Sequence, residues 1–147
     1  MIVHDQILVV EDNARNMALL SDVLQATGYR TLQASTGRQA LTLAAQHGPA
    51  LVLMDIRLPD MDGLEALRSL RSDPRTVSIP VLAVTAQAMK GDRERFLDAG
   101  FDGYLSKPID IDAHLAAVRA YIGGTGEGVE EAVRKGPNST GSVVFAR

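Results

Sequence analysis

The segment LVLMDIRLPDMDG, residues 51–63, decides the fold. It opens on an uninterrupted apolar run, Leu51–Met54, and ends that run in a carboxylate, Asp55. A continuous run of this kind, rather than an alternating one, reads as a strand covered on both faces. Two further runs share its character, Ile7–Val10 and Val81–Val84, and weaker extended runs sit at Thr31–Ala34 and Gly103–Leu105. Between them the apolar residues recur at helical spacing: Met17, Leu20 and Leu24; Ala40, Leu43 and Ala44; Leu64, Leu67 and Leu70; Ile111, Leu115, Val118 and Ile122. Gly28, Gly48-Pro49, Asp73-Pro74 and Gly100 punctuate the helix ends, and Asp110 is placed to cap the fifth helix. The fourth helix is expected to start between Ala86 and Gly91. Five strands alternating with five helices predict an α/β fold, a doubly wound five-stranded parallel sheet with right-handed crossovers.

Composition sets the limits around this frame. The chain has 147 residues, 46% hydrophobic and 22% charged, which suits one soluble domain. It has no Cys, so disulfide frameworks and thiolate metal sites are excluded. The net charge of −3, without a basic run, argues against direct DNA binding. No apolar run approaches the length of a membrane span, and the N-terminus lacks the marks of a secretory signal, so a cytoplasmic location is expected. Composition changes after Ile122, where GGTGEG opens a polar, Gly-rich stretch. The expected division is a domain over residues 1–122 and a flexible C-terminal tail over 123–147, with Val143-Val144-Phe145 as its one apolar patch.

Ligands of an open parallel sheet bind beyond the carboxyl ends of its strands. Glu11 and Asp12 follow the first strand, Asp55 ends the third, Thr85 ends the fourth, and Ser106, Lys107 and Pro108 follow the fifth. Each has an ordinary reading by itself. Glu11-Asp12-Asn13 reads as a helix N-terminus, Thr85 as a cap of the fourth helix, Lys107 as a solvated lysine, and Tyr104 as core. Their joint placement at one edge points to chemistry. Three crowded carboxylates call for a cation, and oxygen-only ligands suit a hard ion such as Mg²⁺. A lysine and a hydroxyl beside them suit phosphoryl oxygens, and a central carboxylate can act as a nucleophile.

With ILVVEDN (7–13), LVLMDIRLPDMDG (51–63), PVLAVTA (80–86) and YLSKP (104–108) in order, the chain resembles the receiver domain of two-component response regulators. The resemblance spans roughly residues 5–122. It implies the flavodoxin-like strand order 2-1-3-4-5, and Asp55 as phosphoacceptor for a histidine kinase or a histidine phosphotransfer protein. It implies a Mg²⁺ site of Glu11, Asp12, Asp55 and the Arg57 backbone carbonyl. Lys107 is implied as the phosphoryl contact, Thr85 and Tyr104 as the switch pair, and Lys107-Pro108 as a cis peptide that aims Lys107 into the pocket. Pro59 and Gly63 match the turn after Asp55, with Gly63 expected to supply a backbone angle that other residues resist. The implied activity is a stoichiometric switch, not an enzyme, with self-catalysed phosphotransfer and dephosphorylation. Output is expected through a protein target on the face of helix 4, strand 5 and helix 5. The stretch 85–109 is closest to single-domain receivers and to those of hybrid kinases, so an excised hybrid-kinase module stays open. So does a receiver-like interaction module that takes no phosphate. A phosphatase with an aspartyl nucleophile fits less well, because Arg57 stands where its acid would be.

Overall fold

The computed structural model describes residues 6–86, 91–122 and 143–145. Strands β1 (Gln6–Val10), β2 (Arg30–Ala34), β3 (Leu51–Asp55), β4 (Val81–Thr85) and β5 (Gly103–Ser106) alternate with helices α1 (Ala14–Ala26), α2 (Gly37–His47), α3 (Gly63–Ser72), α4 (Asp92–Ala99) and α5 (Ile111–Ile122). The five strands are parallel and lie in the order β2-β1-β3-β4-β5. A sixth strand, β6 (Val143–Phe145), joins the free edge of β5 antiparallel. The fold is therefore the expected doubly wound one with a strand added. That strand comes from the stretch expected to be a flexible tail; the other residues of 123–147 lie outside the described residues.

Helices cover both faces of the sheet and divide the core in two. On one face Leu8, Val10, Val52, Met54 and Ala83 pack with Leu67, Leu70 and Phe96. On the other Ile7, Val9, Leu53, Leu82 and Leu105 pack with Met17, Leu20, Leu24 and Val118. β3 and β4 are buried at every residue, which is why both read as continuous apolar runs. Among the described residues no helix is long and apolar enough to cross a membrane.

The local chemistry explains the boundaries. Asn13 caps α1 by accepting from Asn16 N, Thr36 caps α2 through Gln39 N, and Asp62 caps α3 through Leu64 N. Asp110 Oδ1 accepts from Ala113 N at the start of α5, as expected. The fourth helix as described begins at Asp92, after Gly91 at φ 93°. α5 buries Ala113, His114, Ala117, Val118 and Ala120, whereas Ile111 is exposed. Of the stripe, Val118 lies in the core and Leu115 and Ile122 pack against it half-buried, while alanines and His114 complete the inner face.

Candidate functional site

The site lies where the carboxyl ends of β1, β3, β4 and β5 converge. Glu11 and Asp55 are buried and Asp12 is exposed. The three offer carboxylate oxygens that all lie within 4.8 Å of one another. Lys107 Nζ reaches between two of them, 2.8 Å from Glu11 Oε1 and 2.9 Å from Asp55 Oδ2. Asp55 Oδ1 accepts from Arg57 N at 3.0 Å, and Glu11 Oε2 from Asn13 N at 3.0 Å. Each buried carboxylate is thus held at one oxygen by backbone and at the other by the same ammonium.

The electrostatics follow from that crowding. Burial raises the Glu11 carboxyl above its ordinary value, and the nearby Asp55 charge adds to the rise; Lys107 and the Asn13 amide only partly offset it. Burial alone would lower the Lys107 ammonium, but its bonds to Glu11 and Asp55 outweigh that and raise it. Three carboxylates against one ammonium leave an excess of negative charge in a cleft of about 440 Å³ lined also by Asn13, Asn16, Arg57, Thr85 and Ala86. Hard oxygen donors, one of them at the solvent face, suit Mg²⁺, which keeps several waters.

The remaining expected residues occupy matching places. Thr85 ends β4, is buried, and its carbonyl accepts from Lys107 N at 2.7 Å. Tyr104 is half-buried on β5, its ring 6.1 Å from that of Phe96 and inclined at 62°. The Lys107-Pro108 peptide is cis. Arg57 is exposed at the mouth of the cleft, and its backbone pairs antiparallel with that of Asp62 across the β3–α3 turn. Gly63 departs from expectation. It has no positive φ; instead its Cα approaches the backbone so closely that a Cβ would stand 2.8 Å from both Asp55 O and Ile56 Cα. It is the lack of a side chain that the turn uses.

One part of the turn has no local signal in sequence. Asp60 Oδ1 accepts from Gly37 N at 2.7 Å and Oδ2 from Arg38 N at 3.0 Å. The loop after Asp55 is thereby bound to the first turn of α2, and those two amides hold the Asp60 carboxyl below its ordinary value. With Asp62 capping α3 and Gly63 N donating to Ile56 O at 2.7 Å, the segment 55–63 is anchored at both ends.

Parallel topology, with this cluster at the switch edge, defines a class, and comparison with known proteins agrees: residues 7–119 match the response regulator receiver domain, and the chain belongs to that family. It is 45% identical over 117 residues to the polar-differentiation response regulator DivK of Brucella ovis, which covers 80% of this chain and 95% of DivK. Among solved structures it is similar to the receiver domain of a Pseudomonas aeruginosa sensor histidine kinase with magnesium coordinated in its active-site cleft. That match has 37% identity and a TM-score of 0.75, covering 82% of this chain and 98% of the other. The Saccharomyces cerevisiae Ssk1 receiver, crystallised with the histidine phosphotransfer protein Ypd1, matches at 25% identity and TM-score 0.74, covering 83% and 91%.

Proposed function

We propose that this chain is a phosphorylation-dependent switch whose acceptor is Asp55. The observation that carries the reading is the single ammonium of Lys107 bonded to both Glu11 and Asp55 inside a three-carboxylate cluster. An Asp55 carboxylate oxygen attacks the phosphorus of a phosphohistidine. The new O–P bond forms as the N–P bond breaks, and the electron pair leaves on the imidazole nitrogen. Asp12, Asp55 and Glu11, with the Arg57 carbonyl, would hold Mg²⁺, which when bound neutralises charge shared by carboxylate and phosphoryl oxygens. Lys107 transfers its hydrogen bond from Asp55 to a phosphoryl oxygen, and the Thr85 hydroxyl donates to another. Thr85 and Tyr104 then shift the balance between two conformations, which a partner reads on the face of α4, β5 and α5. Dephosphorylation returns the carboxylate when water attacks phosphorus and the O–P bond breaks.

The donor is a histidine kinase or a histidine phosphotransfer protein, in keeping with what the Ssk1 receiver meets in its complex with Ypd1. Incubation with Mg²⁺ and acetyl phosphate, followed by intact mass, is the test. One acid-labile phosphoryl group is expected, and Asp55→Asn is expected to carry none. Labelling that persists in Asp55→Asn overturns the assignment.

A further inference from the structure

The two outer strands of the parallel sheet differ in how they meet water. β2 (RTLQA) carries Arg30 and Gln33, the polar residues that keep an edge from pairing with another chain. β5 (GYLS) carries no charge and begins on a glycine. Its inner side is satisfied by β4. Asp102 N donates to Val81 O at the foot of the ladder. Lys107 N donates to Thr85 O at the other end, so in this register Gly103, Leu105 and Lys107 turn their N–H and C=O toward β4, and alternation turns those of Tyr104 outward. Those outward groups are where β6 lies: Gly103 stands opposite Phe145, Tyr104 opposite Val144 and Leu105 opposite Val143. Val, Val and Phe are strong strand formers within an otherwise polar, Gly-rich stretch. An edge without guarding charges and a lone apolar triplet in the same chain are complementary.

We propose that Val143–Phe145 is a built-in edge strand that covers β5 and must lift before a partner can use that edge. On the reading under Proposed function, β5 borders the output face, so the segment acts there as an autoinhibitory cover. The cover itself rests on strand pairing and not on phosphorylation. The occupant is this chain's own segment; an incoming strand from a partner would compete for the same amides.

Hydrogen exchange on the full-length chain tests this. Val144 faces Tyr104, whose backbone groups point outward, so Val144→Pro removes a ladder donor. Val143, opposite Leu105, turns its N–H away from β5, so Val143→Pro removes none. The expected result is at least tenfold faster exchange of the Tyr104 amide in Val144→Pro, and little change in Val143→Pro. A synthetic peptide of residues 137–147, added at millimolar concentration, should shift the NMR signals of Gly103–Leu105 in full-length Val144→Pro. Its binding to the unmutated chain should be at least tenfold weaker. Equal exchange in all three proteins, or equal peptide binding by the variant and the unmutated chain, overturns the cover. Neither measurement requires phosphorylation, so its failure is distinct from failure of the Asp55 assignment.

Discussion

Gly63→Ala places a methyl group against the backbone that carries Asp55. The new Cβ would lie 2.8 Å from Asp55 O and 2.8 Å from Ile56 Cα. Ordinary carbon contacts begin near ~3.5 Å, so the turn must open by roughly half an ångström or more. Neither neighbour is a side chain that can rotate away. Asp60 and Asp62 resist the movement from beyond the turn. Overpacking of this kind costs about 1–3 kcal/mol, and the gain from replacing glycine offsets about 0.4–1 kcal/mol of it. A net loss of about 1–2 kcal/mol corresponds to a fall in Tm of about 4–8 °C for a domain of this size. Asp55 moves with its own carbonyl, and misplacement of a reacting group by about 1 Å costs up to ~100-fold in rate. Half of that displacement predicts roughly a tenfold slower gain of phosphate from acetyl phosphate by the same scaling. Gly48→Ala is the control. Gly48 has φ 55° with nothing within 4 Å of a Cβ, at the far end of β3 from Asp55. It should lose about 1 kcal/mol to left-handed strain and keep its phosphorylation rate. If Gly63→Ala melts within a degree of the parent and is phosphorylated as fast, the close approach does not position Asp55.

Other consequences are measurable. Binding of Mg²⁺ to the folded state should raise Tm, by about 1.4 kcal/mol of stabilisation at ten times Kd, and Asp12→Ala should abolish the rise; an equal rise in the variant removes Asp12 from the site. Arg71 donates to the carbonyls of Val77, Ile79 and Gly100 and to Asp102 Oδ2, which also accepts from Val81 N. Counting only the two partly buried bonds, to Ile79 O and Asp102, Arg71→Met should cost about 3 kcal/mol by urea unfolding, and a loss under about 1 kcal/mol refutes the count. His114 is buried with Nδ1 3.0 Å from Asp110 O and Nε2 without a partner among the described residues, and burial lowers its pKa. A histidine depressed in the folded state adds stability above its unfolded pKa, near ~6.5, and loses it as pH falls. Stability should therefore drop between pH 7 and 5, and His114→Leu should flatten that drop; an unchanged slope excludes His114 as its source.

What was legible in sequence follows from what is local. Leu51–Met54 and Val81–Val84 are apolar because both faces of a central strand are covered, so their ends mark the site edge without any tertiary knowledge. Asp12, Asp55, Thr85 and Lys107 could be placed together because each closes or follows its own strand. The Asp60 clamp on α2 and the Arg71 clamp on the α4–β5 loop join segments distant in sequence, and aspartate or arginine in a polar turn carries no mark of its partner. Gly63 was recognised as special for the wrong physical cause, since sequence cannot distinguish a glycine needed for its φ from one needed for its missing Cβ. β6 was hidden differently. Three apolar residues in a Gly-rich stretch are too few to define a strand, and only the unguarded edge of β5 gives them a partner.

The two halves of the molecule's chemistry meet at Lys107. Both oxygens of Asp55 are engaged, Oδ1 by the Arg57 backbone amide and Oδ2 by the Lys107 ammonium. The amide belongs to an anchored turn, whereas the ammonium sits on a flexible four-carbon stem, so Lys107 is the partner of Asp55 that is free to move. Lys107 directly follows Ser106, the last residue of β5, and its N–H is bonded to Thr85 O at the end of β4. β5 is therefore the strand whose end is tied to Asp55 through Lys107 while its outer edge pairs with Val143–Phe145. Any coupling between acceptor and cover is reciprocal: if a modified Asp55 loosens β6, lifting β6 must favour modification by the same factor. Phosphorylation extent at fixed acetyl phosphate, compared between the parent and Val144→Pro, reports such coupling, and a ratio of one means the strand shields its edge without reporting on the site.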